Sequence, residues 1–386
     1  MSWPLVAIKD VARVVTGKTP STVASDNFDG DIPFVTPSEL GVEVYVTTAP
    51  RTLSAKGAAE IKLVPKNAVM VCCIGSLGKL AIAGAVVATN QQINSVIFDE
   101  EKVDAKYGFY ALQLLKPKME SMSASTTIAI INKSNFEAIQ IPVPPLVEQK
   151  RIVAILDEAD AICRKRQQAI QLADDFLRAV FLDMFGNVVT SSGYESSDRA
   201  KISELVDYID YRGKTPEKSD FGIPLITAKN VKKGYVDDDP REYIPEENYY
   251  AWMTRGLPRE NDVLFTTEAP LGNVALLGKY QKVVIGQRLI ALRSKGRVTH
   301  EYLMYLLLNP FIQDLIYARS SGSTVKGIRT KELYAIELPV PELYQQETFS
   351  TIYWSCKALM DKHHESCRLQ NITIQALTQK AFQGQL

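Results

Sequence analysis

The sequence predicts an α/β (α+β) chain: two duplicated globular domains separated by two long antiparallel helices that form a coiled-coil spacer. Three observations carry that expectation. Seven stretches of the first half return in the same order about 190 to 197 residues later, far beyond a solenoid period. Each copy strings together short β-type runs punctuated by Gly, Pro and Asn. Each then passes through a short helix-like stretch, a polar loop and a Pro-x-Pro strand into a much longer helical pattern.

In chain order, Thr16-Gly17-Lys18-Thr19-Pro20 returns as Arg212-Gly213-Lys214-Thr215-Pro216, and Asp31-Ile32-Pro33-Phe34-Val35-Thr36 as Gly222-Ile223-Pro224-Leu225-Ile226-Thr227. Val64-Pro65-Lys66-Asn67 is echoed at Leu257-Pro258-Arg259, and Ser76-Leu77-Gly78-Lys79 at Pro270-Leu271-Gly272-Asn273. Gln91 aligns with Gln287, Ser125-Thr126-Thr127 with Gly322-Ser323-Thr324, and Ile141-Pro142-Val143-Pro144 with Leu338-Pro339-Val340-Pro341. Helix-like stretches at Tyr107 to Leu115 and Glu301 to Leu308 precede the polar loops. These marks divide the chain into a first domain at 1–144, a central helix at 145–187, a second domain at 188–341 and a distal helix at 342–386.

The central helix is bounded by Pro144-Pro145, which pre-set its first turn, and by Gly186, which suits a left-handed terminator. At 1.5 Å per residue it should be about 55–60 Å long. Its expected seam is Ile152, Ile155, Ala159, Ile162, Ala169, Ala173, Phe176 and Val180, widened by Leu156, Cys163, Ile170 and Leu177. The distal helix, from about Gln345 to Phe382, offers Phe349, Ile352, Cys356, Leu359, His363, Cys367, Gln370, Ile374 and Leu377. Arg166 interrupts the first stripe, and His363 and Gln370 the second; in an antiparallel pair they would form a polar layer that sets register.

Composition bounds the function. The chain has 386 residues, 46% hydrophobic and 23% charged, enough for two or more cores. It shows neither a membrane-length apolar run nor the layout of a signal peptide, and its five scattered cysteines suit a reducing cytoplasm. Lys and Arg number 44, as do Asp and Glu, which argues against a chain that clamps nucleic acid unaided but not against locally basic loops. Three histidines leave little material for a catalytic triad or a His-rich metal site. The acidic runs Asp99-Glu100-Glu101 and Asp237-Asp238-Asp239 lie in turn-like contexts that suit solvated loop ends. Gly17-Lys18-Thr19 and Gly213-Lys214-Thr215 lack the glycine a phosphate loop needs five positions earlier; Ala12 and Tyr208 stand there.

Pro142-Val143-Pro144-Pro145-Leu146-Val147-Glu148-Gln149, the repeated Gly-Lys-Thr-Pro segments and the turn at Gly75 and Gly78 resemble the specificity subunit of type I restriction-modification enzymes, over essentially the whole chain. The second copy departs from the motif, with Glu342-Leu343-Tyr344-Gln345-Gln346 in place of Pro145-Leu146-Val147-Glu148-Gln149. The resemblance implies two target recognition domains that read a bipartite, asymmetric double-stranded DNA site with an unread gap. It also implies two methyltransferase (modification) subunits and restriction/translocase subunits as partners. No cofactor is expected in this chain; S-adenosylmethionine belongs on the modification subunits, ATP and Mg on the restriction subunits. No Asn/Asp-Pro-Pro-Tyr/Phe tetrapeptide of adenine methyltransferases occurs, so a non-catalytic chain is expected. A fused enzyme and a purely structural coiled-coil adaptor are the alternatives.

Within that frame, hydroxyls, amides and cations on loops are the candidates for phosphate and base contacts. The first copy supplies Lys18, Thr19, Ser76, Lys79, Asn90, Gln91, Gln92, Ser125, Thr126, Thr127, Asn132 and Lys133. The second supplies Lys214, Thr215, Lys229, Asn230, Thr267, Gln287, Arg288, Ser323, Thr324, Lys326, Arg329 and Lys331. Gln suits an adenine edge and Arg a guanine edge, while capping of a turn is the competing role for any one of them.

Overall fold

The computed structural model describes residues 3–123, 129–211 and 215–382, with the backbone alone at 191, 370–372, 374–379 and 381. Ser125, Thr126, Thr127 and Lys214 therefore lie outside the described residues. The chain forms two compact units, Met1–Arg166 with Ser366–Leu386, and Gln167–Glu365. Compactness thus divides each long helix near its middle, instead of setting the helices apart from the globular domains.

In the first unit, Ala12–Thr16, Ile93–Phe98, Val69–Cys72, Leu80–Ala83 and Tyr45–Val46 lie in that order in a five-stranded sheet. A second sheet orders Thr52–Leu53, Phe28–Val35 and Ala88–Thr89, and Leu5–Ala7 pairs with Gln140–Pro142. The second unit repeats this plan. Val206–Asp210, Leu289–Ser294, Val263–Thr266 and Val274–Leu276 form its main sheet, Tyr243–Ile244, Ile223–Ile226 and Val284–Ile285 the second, and Arg199–Lys201 pairs with Glu337–Pro339. The central strands Val69–Cys72 and Val263–Thr266 are buried along their whole length, which is why they read as continuous apolar runs.

A helix covers each main sheet. Ala105–Gln113 is capped by the Asp104 carboxylate, which accepts from the Lys106 and Tyr107 amides; His300–Leu308 is capped by Thr299. Tyr107 and Tyr302 are fully buried, and their hydroxyls donate to the Pro142 and Pro339 carbonyls at 2.8 and 3.0 Å.

The two long helices span Leu146–Phe185 and Leu343–Phe382, starting where the prolines predict. Within the first unit, Ile152 and Leu156 of one helix share a core with Phe382 of the other, and the Arg166 guanidinium donates to the Ser366 carbonyl at 3.4 Å. Within the second, Phe181 and Phe185 meet Phe349 at ring-centroid distances of 5.5 and 6.0 Å, while Gln167 and His364 line a cleft between the same helices. The pair runs antiparallel in each unit. The expected seam holds in part: Ile152 and Phe349 are buried and Val180, Ile352 and Cys356 pack against the core, whereas Ile162, Phe176 and Leu359 are 39%, 52% and 52% exposed. The more buried line is the one expected only to widen it: Leu156, half-buried Cys163, Ile170 and Leu177 at strict seven-residue steps, continuing to Phe181 and Phe185. Phe349, Tyr353, Cys356 and Met360 of the other helix lie in the same core as the latter part. Arg166 does reach across the pair, but to a backbone carbonyl; the Gln370 side chain lies outside the described residues.

Candidate nucleic-acid interface

Four separate loops meet at one edge of each unit. In the first, the Gly-Lys-Thr-Pro turn is pinned to the turn before Ile93–Phe98: the Gly17 amide donates to the Ile93 carbonyl at 3.0 Å and the Lys18 amide to the Thr89 carbonyl at 2.9 Å. A Cβ at Gly17 would sit 2.2 Å from the Asn90 carbonyl oxygen, so only glycine fits. The Thr19 hydroxyl then donates to Gln91 Oε1 at 2.7 Å. The turn after Val69–Cys72 joins the same edge, the Cys73 amide donating to the Gln92 carbonyl and the Gly75 amide to the Ala129 carbonyl, both at 2.8 Å. Gly75 and Gly78 hold φ of 80° and 75°, the left-handed values this turn demands.

The second unit rebuilds the edge with different side chains. Thr215 donates to Gln287 Oε1 at 2.8 Å, the counterpart of the Thr19–Gln91 bond. The Thr267 amide donates to the Arg288 carbonyl and the Ile328 amide to the Thr267 carbonyl, both at 3.0 Å. These contacts leave an open polar cleft of about 410 Å³, lined by Glu268, Gln287, Arg288, Ser321 and Arg329 among others. Arg288 Nε lies 3.2 Å from Glu268 Oε1, and the Arg288 side chain is half exposed. Ser323, Thr324, Lys326, Arg329 and Lys331 are exposed, and the three cations form no ion pair among the described residues. Lys18, Ser76 and Lys79 are likewise exposed on the first unit.

Several predicted contacts are instead spent inside the protein. Asn230 is 2% exposed: its Oδ1 accepts from the Thr227 amide and hydroxyl, and its Nδ2 donates to the Asp237 and Pro240 carbonyls. Asn90 and Gln92 bond to each other, and Gln92 reaches the Ile74 carbonyl. Buried Thr267 donates to the Arg288 carbonyl, and Asn132 caps the helix Lys133–Glu137 through the Asn135 amide. Lys133 lies 3.4 Å from Glu137, and Lys229 is exposed 3.7 Å from Glu242. For Asn90, Asn132 and Asn230 an Asx-type bond inside the loop takes the polar group first. Burial pushes the Cys73 thiol up to about 12 and raises the Cys72 thiol as well, so both stay protonated beneath this edge.

One pair of polar residues escaped the sequence reading. Gln149 is fully buried; its Oε1 accepts from the Asp104 amide and its Nε2 donates to the Lys102 and Pro144 carbonyls, all at 2.8 Å. Gln346 makes the same three bonds to the Thr299 amide and the Arg297 and Pro341 carbonyls. Each glutamine latches the first turn of a long helix to its unit, and its constant place after the Pro-x-Pro strand was the available signal.

Two stretches, residues 2–172 and 195–353, match the family described as Type I restriction modification DNA specificity domain. The chain belongs to that family. Among relatives of the specificity chain, the type I restriction enzyme MjaVIII specificity subunit of Methanocaldococcus jannaschii is 24% identical over 371 residues, spanning 90% of this chain and 84% of the relative. The EcoKI specificity subunit of Escherichia coli is 24% identical over 301 residues, 72% of this chain and 64% of the relative. The fold matches the crystal structure of the S subunit from M. genitalium with a TM-score of 0.58 at 16% identity, covering 98% of this chain and 96% of that one. Among the described residues of the specificity chain, no helix is long and apolar enough to cross a membrane.

Proposed function

We propose that this chain is the non-catalytic, sequence-reading subunit of a cytoplasmic type I restriction-modification complex. Each unit reads one half of a bipartite, asymmetric duplex target. Two modification subunits methylate adenine there, and restriction/translocase subunits cleave when it is unmodified. S-adenosylmethionine is bound by the modification subunits, ATP and Mg by the restriction subunits. The observation that carries this reading is one loop edge built twice on a common frame with different exposed side chains, Lys18, Ser76 and Lys79 on one unit against Arg288, Lys326 and Arg329 on the other. A common frame sets common geometry, and divergent side chains select different bases.

Methylome sequencing of a host with and without this chain tests the proposal. A split, gapped methylated motif should vanish on deletion, and exchanging residues 1–144 for those of a relative should alter one half of the motif alone. A motif unchanged by deletion would refute it.

A further inference from the structure

We infer that the threonine–glutamine pair shared by the two units is a sequence-independent phosphate anchor, which leaves base choice to side chains that differ between them. This deepens the DNA-reading role proposed above and rests on it. The pair is the same in both units: Thr19 to Gln91 at 2.7 Å and Thr215 to Gln287 at 2.8 Å, each joining residues 72 apart in the chain.

Bidentate recognition of adenine uses both ends of a glutamine amide, the oxygen for the N6 amino group and the nitrogen for N7. Here the oxygen already accepts from the threonine hydroxyl in each unit, which takes one of its two lone pairs and holds the amide in one orientation. The amide nitrogen keeps its donors, and a donor alone distinguishes poorly among the acceptors of the major groove. Phosphate oxygens accept such a bond at every sequence.

The setting suits an anchor. The hydroxyl fixes the amide, and in the first unit the Gly17 and Lys18 amides tie the threonine turn to the strand end that carries Gln91. Lys18, next to Thr19 in the chain, is exposed and forms no ion pair among the described residues, so the same turn carries an uncommitted cation. The following position is where the copies part: Gln92 is bonded inside its unit, while Arg288 is held by Glu268 at the rim of the cleft.

The test uses the full chain reconstituted with its modification subunits, measuring binding to its own target and to half-site variants across a salt series. Gln91→Met and Gln287→Met keep the length of the side chain and remove the donor. Each should weaken binding by roughly three- to tenfold at every sequence, with the methylated motif unchanged. Gln91→Lys and Gln287→Lys should restore affinity and steepen the slope of log K against log salt by about 0.9, as one more cation facing phosphate does. A Met variant that relaxes the motif in one half-site, or binds as tightly as the parent, would overturn the anchor. So would Lys variants that fail to rescue. A parent complex that binds no DNA would overturn the proposed function itself.

Discussion

Beside the central strand of each main sheet, the two units fill the same position in opposite ways. Val69 pairs with Val96 in the first unit and Val263 with Leu292 in the second, so the flanking residues correspond: Ala68 and Ile97 in one, Asp262 and Arg293 in the other. The first unit packs Ile97 against an apolar cluster that contains Ala68. The second holds a two-pronged ion pair, with Arg293 Nε donating to Asp262 Oδ1 at 2.8 Å and Nη2 to Oδ2 at 2.7 Å. Asp262 Oδ2 also accepts from the Arg259 amide at 2.7 Å. A duplicated fold therefore tolerates hydrocarbon or paired charge at one site. What it would not tolerate is half of the charged solution.

The largest expected effect breaks that pair. Asp262→Ala leaves Arg293 only its bond to the Leu257 carbonyl and strands the Arg259 amide, and should cost about 3 kcal/mol in urea unfolding followed by tryptophan fluorescence. The double change Asp262→Ala with Arg293→Ile copies the first unit and should recover most of that loss, since an apolar replacement of a buried pair is commonly neutral or better. If the double variant is as unstable as the single one, the two positions are not equivalent.

Next in size are the glutamine latches, where the units agree. Gln149→Ala and Gln346→Ala each remove three buried bonds and should cost about 2–4 kcal/mol, by similar amounts. A large loss in only one unit would show that the second motif, with Gln345 where the first has Glu148, has drifted in role as well as in sequence.

The smallest effect depends on pH and belongs to the second unit alone. Burial holds His300 below its ordinary value of 6.5, against Glu301 and Asp262, which favour its proton, and together with Arg293, which opposes it. Its ring nitrogen accepts from the Ser294 amide at 3.2 Å, a bond only the neutral ring can accept. Because the folded state binds the proton less readily than the unfolded state, this contribution is complete above pH 6.5 and is lost as pH falls below it. Ala105 begins the corresponding helix of the first unit. His300→Gln should flatten the decline in stability between pH 7 and 5, read from thermal melts at each pH.

Much of the architecture was legible because it is written twice. Seven collinear matches established the duplication, and Pro144-Pro145 marked the first long helix to within a residue or two. The seam was misread because apolar residues occur on both sides of that helix. Ile162 and Phe176 belong to a continuous periodic stripe, yet both are exposed, while the heptad from Leu156 to Leu177 lies on the more buried side of the helix. Periodicity names a set of faces, and the tertiary partner selects among them. At the candidate interface the sequence showed which loops matter better than which atoms are free. Asn230 and Gln92 look like readers because they are polar residues in turns, and their own turns take them. Gln149 and Gln346 stood in the compared motifs but were given no role, because nothing in a helix-entry motif tells a buried latch from a solvated first turn.

The joint ownership of the helices has a consequence during synthesis. The second unit is one continuous segment, Gln167–Glu365, and can close as soon as it leaves the ribosome. The first unit has its ring contact from Phe382 to Tyr107, at 5.2 Å, supplied by a residue made roughly 200 positions after its other segment ends, about 10–40 s at ordinary elongation rates. The half translated first is therefore the half completed last, and during that interval it leaves Tyr107 without its plug.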